Sequence, residues 1–110
     1  MDSVLAPPTE TFNDLSSISS LRELPPAFCE SLVRIRRHLH QHPELGFEEE
    51  STSRFIRETL ERHDLTVRGP IAETGLFVDI HGEHPGGCIG YRADIDALPI
   101  RDAKQVPYAS

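Results

Sequence analysis

Phe28, Leu32, Ile35 and Leu39 recur at spacings of four, three and four, which places them on one face of an α-helix. The pattern predicts a helix over about 26–41 whose apolar face is core. Leu24-Pro25-Pro26 marks its start, because Pro disfavours helix at the preceding residue yet is tolerated in a first turn. His42-Pro43 ends it by the same rule. A second helix is expected over about 48–63. Glu48, Glu49 and Glu50 crowd its first turn, where acids complement the helix dipole, and Arg62 and His63 fall in its last. Phe55, Ile56, Thr59 and Leu60 make its inward stripe, flanked by Arg54, Arg57, Glu58 and Glu61.

Three strand candidates follow: Leu65-Thr66-Val67, Leu76 to Ile80, and Cys88 to Ala93. Gly69-Pro70 and Thr74-Gly75 bracket one loop, and the Gly- and Pro-rich run from His81 to Gly87 reads as a hairpin turn. The order helix, helix, strand, strand, strand describes the opening of an α/β domain, with too few strands to be covered on both faces. Residues 1–24 mix Pro, Ser, Thr and acids without a sustained period and are expected to be a disordered or loosely held extension. The compact part is then 25–110.

Charge interrupts the third strand at Tyr91-Arg92-Ala93-Asp94-Ile95-Asp96-Ala97-Leu98-Pro99. Pro99 ends any regular ladder, so Asp94 and Asp96 sit where a strand runs out, the place where open α/β sheets bind ligands. The alternative is an Arg92–Asp94 surface pair on an edge strand.

Composition narrows the function classes. With a net charge of −7 and a pI near 5.2, the 110-residue chain has no basic surface for nucleic acid. Arg34, Arg36 and Arg37 are interleaved with apolar helix positions and read as a solvated face. No apolar run approaches the roughly 18 residues of a membrane span. Met1-Asp2-Ser3 opens no signal peptide, and Cys29 and Cys88 form no CxxC pair, so we expect a cytoplasmic protein. The hydrophobic fraction of 37% predicts a modest core.

His38, His40 and His42 raise a metal hypothesis, because His at i and i+4 on a helix is zinc-binding geometry. Yet His40 points about 200° from His38 on a helical wheel. Leu39 stands where a zinc helix carries glutamate, and Pro43 breaks the helix beside His42. Capping of the helix C-terminus is the reading we adopt, and no metal ligand is assigned. His81 and His84 are expected to be exposed turn residues.

The run from Arg36 to Glu49, RRHLHQHPELGFEE, resembles the N-terminal signature of metal-dependent amidohydrolases of the aminoacylase, hippurate hydrolase and auxin-conjugate hydrolase group. Glu73-Thr74-Gly75, the block Tyr91 to Ile100, and Val106-Pro107-Tyr108-Ala109-Ser110 resemble that family's subsequent motifs, in order. The resemblance covers about residues 30–110. It implies the opening part of a three-layer, zinc-peptidase-like catalytic domain that hydrolyses the amide bond of N-acyl amino acids or similar small conjugates. Zn²⁺ or Mn²⁺ would polarise the carbonyl and acidify a bound water, with a glutamate as general base.

In related branches the Tyr91–Ile100 block carries His-x-Asp, a metal ligand and the aspartate that orients it. Asp94 stands in this chain where that His would be, so its role stays open. Asp96 matches the orienting aspartate, whose task is to accept a hydrogen bond from a ligand. The remaining ligands and the base fall downstream in the family, so the polypeptide is expected to be inactive alone, as a truncated product or a piece of a longer chain. A non-catalytic remnant that binds another chain, or a second copy, through its open sheet edge is the alternative from a different class. A small metal-storage protein built on the three histidines is a further one.

Overall fold

The computed structural model describes residues 24–110, so the expected extension over 1–24 lies, except for Leu24, outside the described residues. Helix α1 spans Pro26–Gln41 and α2 spans Glu50–Glu61, followed by strands β1 (Val67–Ile71) and β2 (Gly75–Val78). The two strands form an antiparallel hairpin, with Val67 opposite Val78 and Arg68 opposite Phe77.

Helix α1 occupies the expected residues, bracketed by the two proline signals. Its C-terminal carbonyl at His38 is satisfied twice by His42, through the backbone N–H at 3.2 Å and through ring Nδ1 at 2.8 Å. Capping by histidine is therefore observed at His42. The apolar face is a correction: α1 contains no buried residue, and Leu32 is exposed while Phe28, Ile35 and Leu39 are only half-covered. A helix buries its stripe only where a second layer meets it. Here His38 of α1 reaches α2, its ring stacked on Phe55 with centroids 3.9 Å apart.

Helix α2 begins two residues later than its glutamates implied, at Glu50, because Glu49 turns inward instead of facing solvent. It packs on the hairpin. Arg57 donates to the carbonyls of Val67 at 3.1 Å and Gly69 at 3.0 Å, so one guanidinium fork ties α2 to β1. Among the described residues Val67 is the buried apolar residue; Glu49, Thr52, Thr59 and Thr74 are buried with it. The centre of packing is thus largely polar.

Both early strands differ from expectation. Strand β1 runs through Gly69-Pro70, which the sequence assigned to a loop, since Pro cannot donate to a ladder. The structure accommodates it in a register shift between Arg68 and Ile71, where that donor is not required. The connection is Ala72–Thr74, with Ala72 and Glu73 at φ 48° and 74°. Gly75 is needed beyond it, because a Cβ there would lie 2.6 Å from the Ile71 carbonyl oxygen.

The third strand does not form. Residues 79–93 carry no regular secondary structure, with a bend at residues 83 and 84, and Ile89 and Tyr91 are each 94% exposed. The run from His81 to Gly87 is consequently not a hairpin turn, since a strand needs a neighbour and β1 and β2 pair only with each other. His81 and His84 are exposed, as expected of that segment. The described residues are a partial α/β unit of two helices and a hairpin, and no three-layer arrangement is present among them.

Candidate active-site segment

The chain after Ala93 returns to the junction between α1 and α2. The Ala97 N–H donates to the Glu44 carbonyl at 2.7 Å. This bond lays residues 94–97 against the loop 42–49. Ile95 and Ala97 are half-buried and Asp94 and Asp96 exposed, the alternation of an extended segment with one side against protein. A cavity of about 200 Å³ lies between them, with His42, Glu44 and Thr52 on one wall and Asp94 to Ala97 on the other.

Both candidate acids therefore border the cavity, though they do different things. Asp94 accepts from Arg92 Nη2 at 2.9 Å, with 68% of its side chain exposed, so the surface pair anticipated at this point exists, on a chain that is not a strand. Asp96 lies beside Gly46, where a Cβ would come within 3.8 Å of its Oδ2.

Glu44 was not singled out from the sequence, and it organises this corner. Its carboxylate accepts from the Ser51 N–H at 3.1 Å, the Thr52 N–H at 2.5 Å and the Thr52 hydroxyl at 2.6 Å. It thus caps α2 from six residues before Glu50, a helix whose own N-cap Glu49 makes no side-chain cap bond. Partial burial opposes ionisation, but the Thr52 and Ser51 bonds outweigh it and hold the carboxyl below its ordinary range. Glu44 joins the end of α2 with its side chain and the 94–97 block with its backbone.

Glu49 is the second residue missed. It accepts a 2.7 Å bond from the Thr74 hydroxyl in a buried setting, linking the start of α2 to the turn of the hairpin. Two of the resembling motifs, 36–49 and 73–75, thereby meet. A glutamate in a run of three carried no signal that it would face inward.

The histidines diverge. Burial first, and then the neighbouring His42 charge, push His38 below its ordinary value as it stacks on Phe55. His40 faces elsewhere, with Nε2 2.7 Å from Asp102 Oδ2. Among the described residues no group of three or more His, Cys, Asp and Glu side chains could hold a metal ion. The residues present do not by themselves fit the metal implied by the resemblance.

Comparison with known proteins decides the kinship. The chain is 51% identical over 79 residues to N-acetyl-L-cysteine deacetylase of Bacillus subtilis, an alignment covering 72% of this chain and 19% of that protein. It is 48% identical over 81 residues to N-acetyldiaminopimelate deacetylase of Priestia megaterium, covering 71% and 21%. With N-acyl-L-amino acid amidohydrolase of Geobacillus stearothermophilus the identity is 41% over 79 residues, covering 72% and 21%. The matched segment is similar to the corresponding part of these amidohydrolases and deacetylases. The chain spans about a fifth of the length of the curated relatives it matches. No family model matches it. No solved structure matches it either.

The segment thus combines a cavity-lining acid block, a glutamate that fixes that block to α2, and a hairpin tied to the same helix. Among the described residues no helix is long and apolar enough to cross a membrane.

Proposed function

We propose that residues 25–110 are the opening part of the catalytic domain of a metal-dependent amidohydrolase that cleaves the amide bond of N-acyl amino acids. Identity of 41–51% to enzymes named for that substrate class carries the reading. The metal, Zn²⁺ or Mn²⁺, would be held by residues from the other four-fifths of such a protein and would polarise the amide carbonyl. What this segment supplies is Asp96, placed at the cavity by the Glu44–Ala97 bond to accept a hydrogen bond from a ligand and fix its orientation. Asp94 contributes a charge whose partner is Arg92. The 110-residue polypeptide alone is inactive on this account, and the protein works in the cytoplasm.

The exposure of Ile80, Ile89 and Tyr91 favours a second reading, a remnant that binds another chain along its unpaired segment. One experiment separates the two. The corresponding N-terminal part of Bacillus subtilis N-acetyl-L-cysteine deacetylase is replaced by residues 30–110, and the chimera and the 110-residue chain are assayed on N-acetyl and N-benzoyl amino acids with Zn²⁺ or Mn²⁺. Turnover by the folded chimera and none by the chain alone is expected. A folded, inactive chimera would remove the amidohydrolase reading, and turnover by the chain alone would remove the claim of an incomplete site.

A further inference from the structure

We propose that His40 is a positioning residue, fastening Asp102, and with it the chain as far as Tyr108, onto the C-terminal half of α1. This goes beyond the amidohydrolase reading and does not depend on it. The bond spans 62 positions in sequence, with His40 Nε2 2.7 Å from Asp102 Oδ2 and only 10% of the Asp102 side chain exposed. The other Asp102 oxygen accepts the Lys104 N–H at 3.0 Å, so the carboxylate is held on both sides.

Two further contacts come from the same helical face. Arg37 lies over the Tyr108 ring at 4.3 Å, and Gln41 Nε2 donates to the Pro107 carbonyl at 3.4 Å. Arg37, His40 and Gln41 stand at i, i+3 and i+4, one side of the helix, away from the side where His38 stacks on Phe55. Helix α1 thus receives separate pieces of chain on two faces. At its other end the segment is held by the Ala97–Glu44 bond, which leaves Leu98 to Arg101 spanning between two attachments. His40 accordingly sets the course of the backbone that leaves the Asp94–Ala97 block.

The charged and titratable groups around the pair are Arg37 from α1, and Arg101, Lys104 and Tyr108 from the docked segment. The His40 bond first, and the Lys104 N–H second, hold the Asp102 carboxyl below its ordinary range. The fastening is therefore kept while Asp102 is ionised and released as pH falls through its titration.

The test uses the 110-residue chain, with amide hydrogen exchange and carboxyl titration followed by NMR. His40→Ala should speed exchange at the Lys104 amide by about tenfold or more and move the Asp102 titration up toward its ordinary range. His40→Gln, which keeps an N–H donor near the Nε2 position, should restore slow exchange. Unchanged Lys104 exchange and Asp102 titration in His40→Ala would overturn the proposal. So would faster exchange along α1 with the Asp102 titration unmoved, the signature of a role in the helix alone. Should His40→Ala fail to fold, the wild-type titration decides: the Lys104 amide must loosen as Asp102 protonates, and an indifferent amide refutes the fastening.

Discussion

Replacing Glu44 by alanine removes three acceptor contacts at once, two from backbone N–H groups of the first turn of α2 and one from the Thr52 hydroxyl. Helix α2 has 12 residues, at the lower edge of what is even marginally stable in isolation, about 12–15 residues, so it relies on its cap and on the hairpin beneath it. Loss of a capping side chain costs about 1 kcal/mol and up to about 2 in favourable cases. The Ser51 amide is exposed and regains water while Thr52 is buried, so the loss lies toward the upper part of that range and below the full sum of three charged hydrogen bonds. We expect Glu44→Ala to destabilise the chain by about 1–2 kcal/mol. For a domain of this size each kcal/mol corresponds to a midpoint shift of about 4–8 °C. Glu44→Gln, which keeps one acceptor but no charge, should lose about half as much.

The pH dependence has a definite sign. The folded-state carboxyl of Glu44 titrates below its ordinary 4.5, so its contribution is fully present above that value and disappears as pH falls through the folded titration. Urea unfolding followed by helical circular dichroism should show the wild type and Glu44→Ala well separated at neutral pH and converging in acid. A change below about 0.3 kcal/mol at neutral pH, or a gap that persists undiminished in acid, would refute the capping role, since surface substitutions usually fall within about 0.5 kcal/mol.

Thr74→Val leaves the buried Glu49 carboxylate without its 2.7 Å donor and should cost about 1–3 kcal/mol by urea unfolding, with an isosteric change as small as any surface mutation refuting it. Asp94→Asn breaks only an exposed pair with Arg92 and should leave stability within about 0.5 kcal/mol; a larger loss would show that Asp94 holds structure. The uncovered apolar side chains of Ile80, Ile89 and Tyr91 predict concentration-dependent self-association by sedimentation, which Ile89→Lys should reduce; a monomer at all concentrations with a cooperative thermal transition contradicts this.

What could be read from the sequence was local. Helix α1 was legible to the residue because prolines bracket it and its apolar spacing is regular. The start of α2 was misjudged because three consecutive glutamates look alike on paper, while only Glu49 meets Thr74. Strand β1 was hidden by Pro70, whose usual exclusion from ladders is circumvented by a register shift that no composition reveals. Cys88 to Ala93 has strand character but no strand beside it among the described residues, and pairing is a property of two segments. The acid block was visible from its charges. Its anchoring to Glu44, and the His40–Asp102 bond, link residues 53 and 62 apart, beyond the reach of any helical or strand period.

The central claim is that the block at Asp94–Ala97 is a working part of an amidohydrolase site, and substitution of Asp96 in the chimeric deacetylase tests it most directly. With residues 30–110 in place of the native segment, Asp96→Asn should lower kcat/KM for N-acetylcysteine by about 10–100-fold with the fold intact. A folded Asp96→Asn chimera as active as its parent would contradict the account.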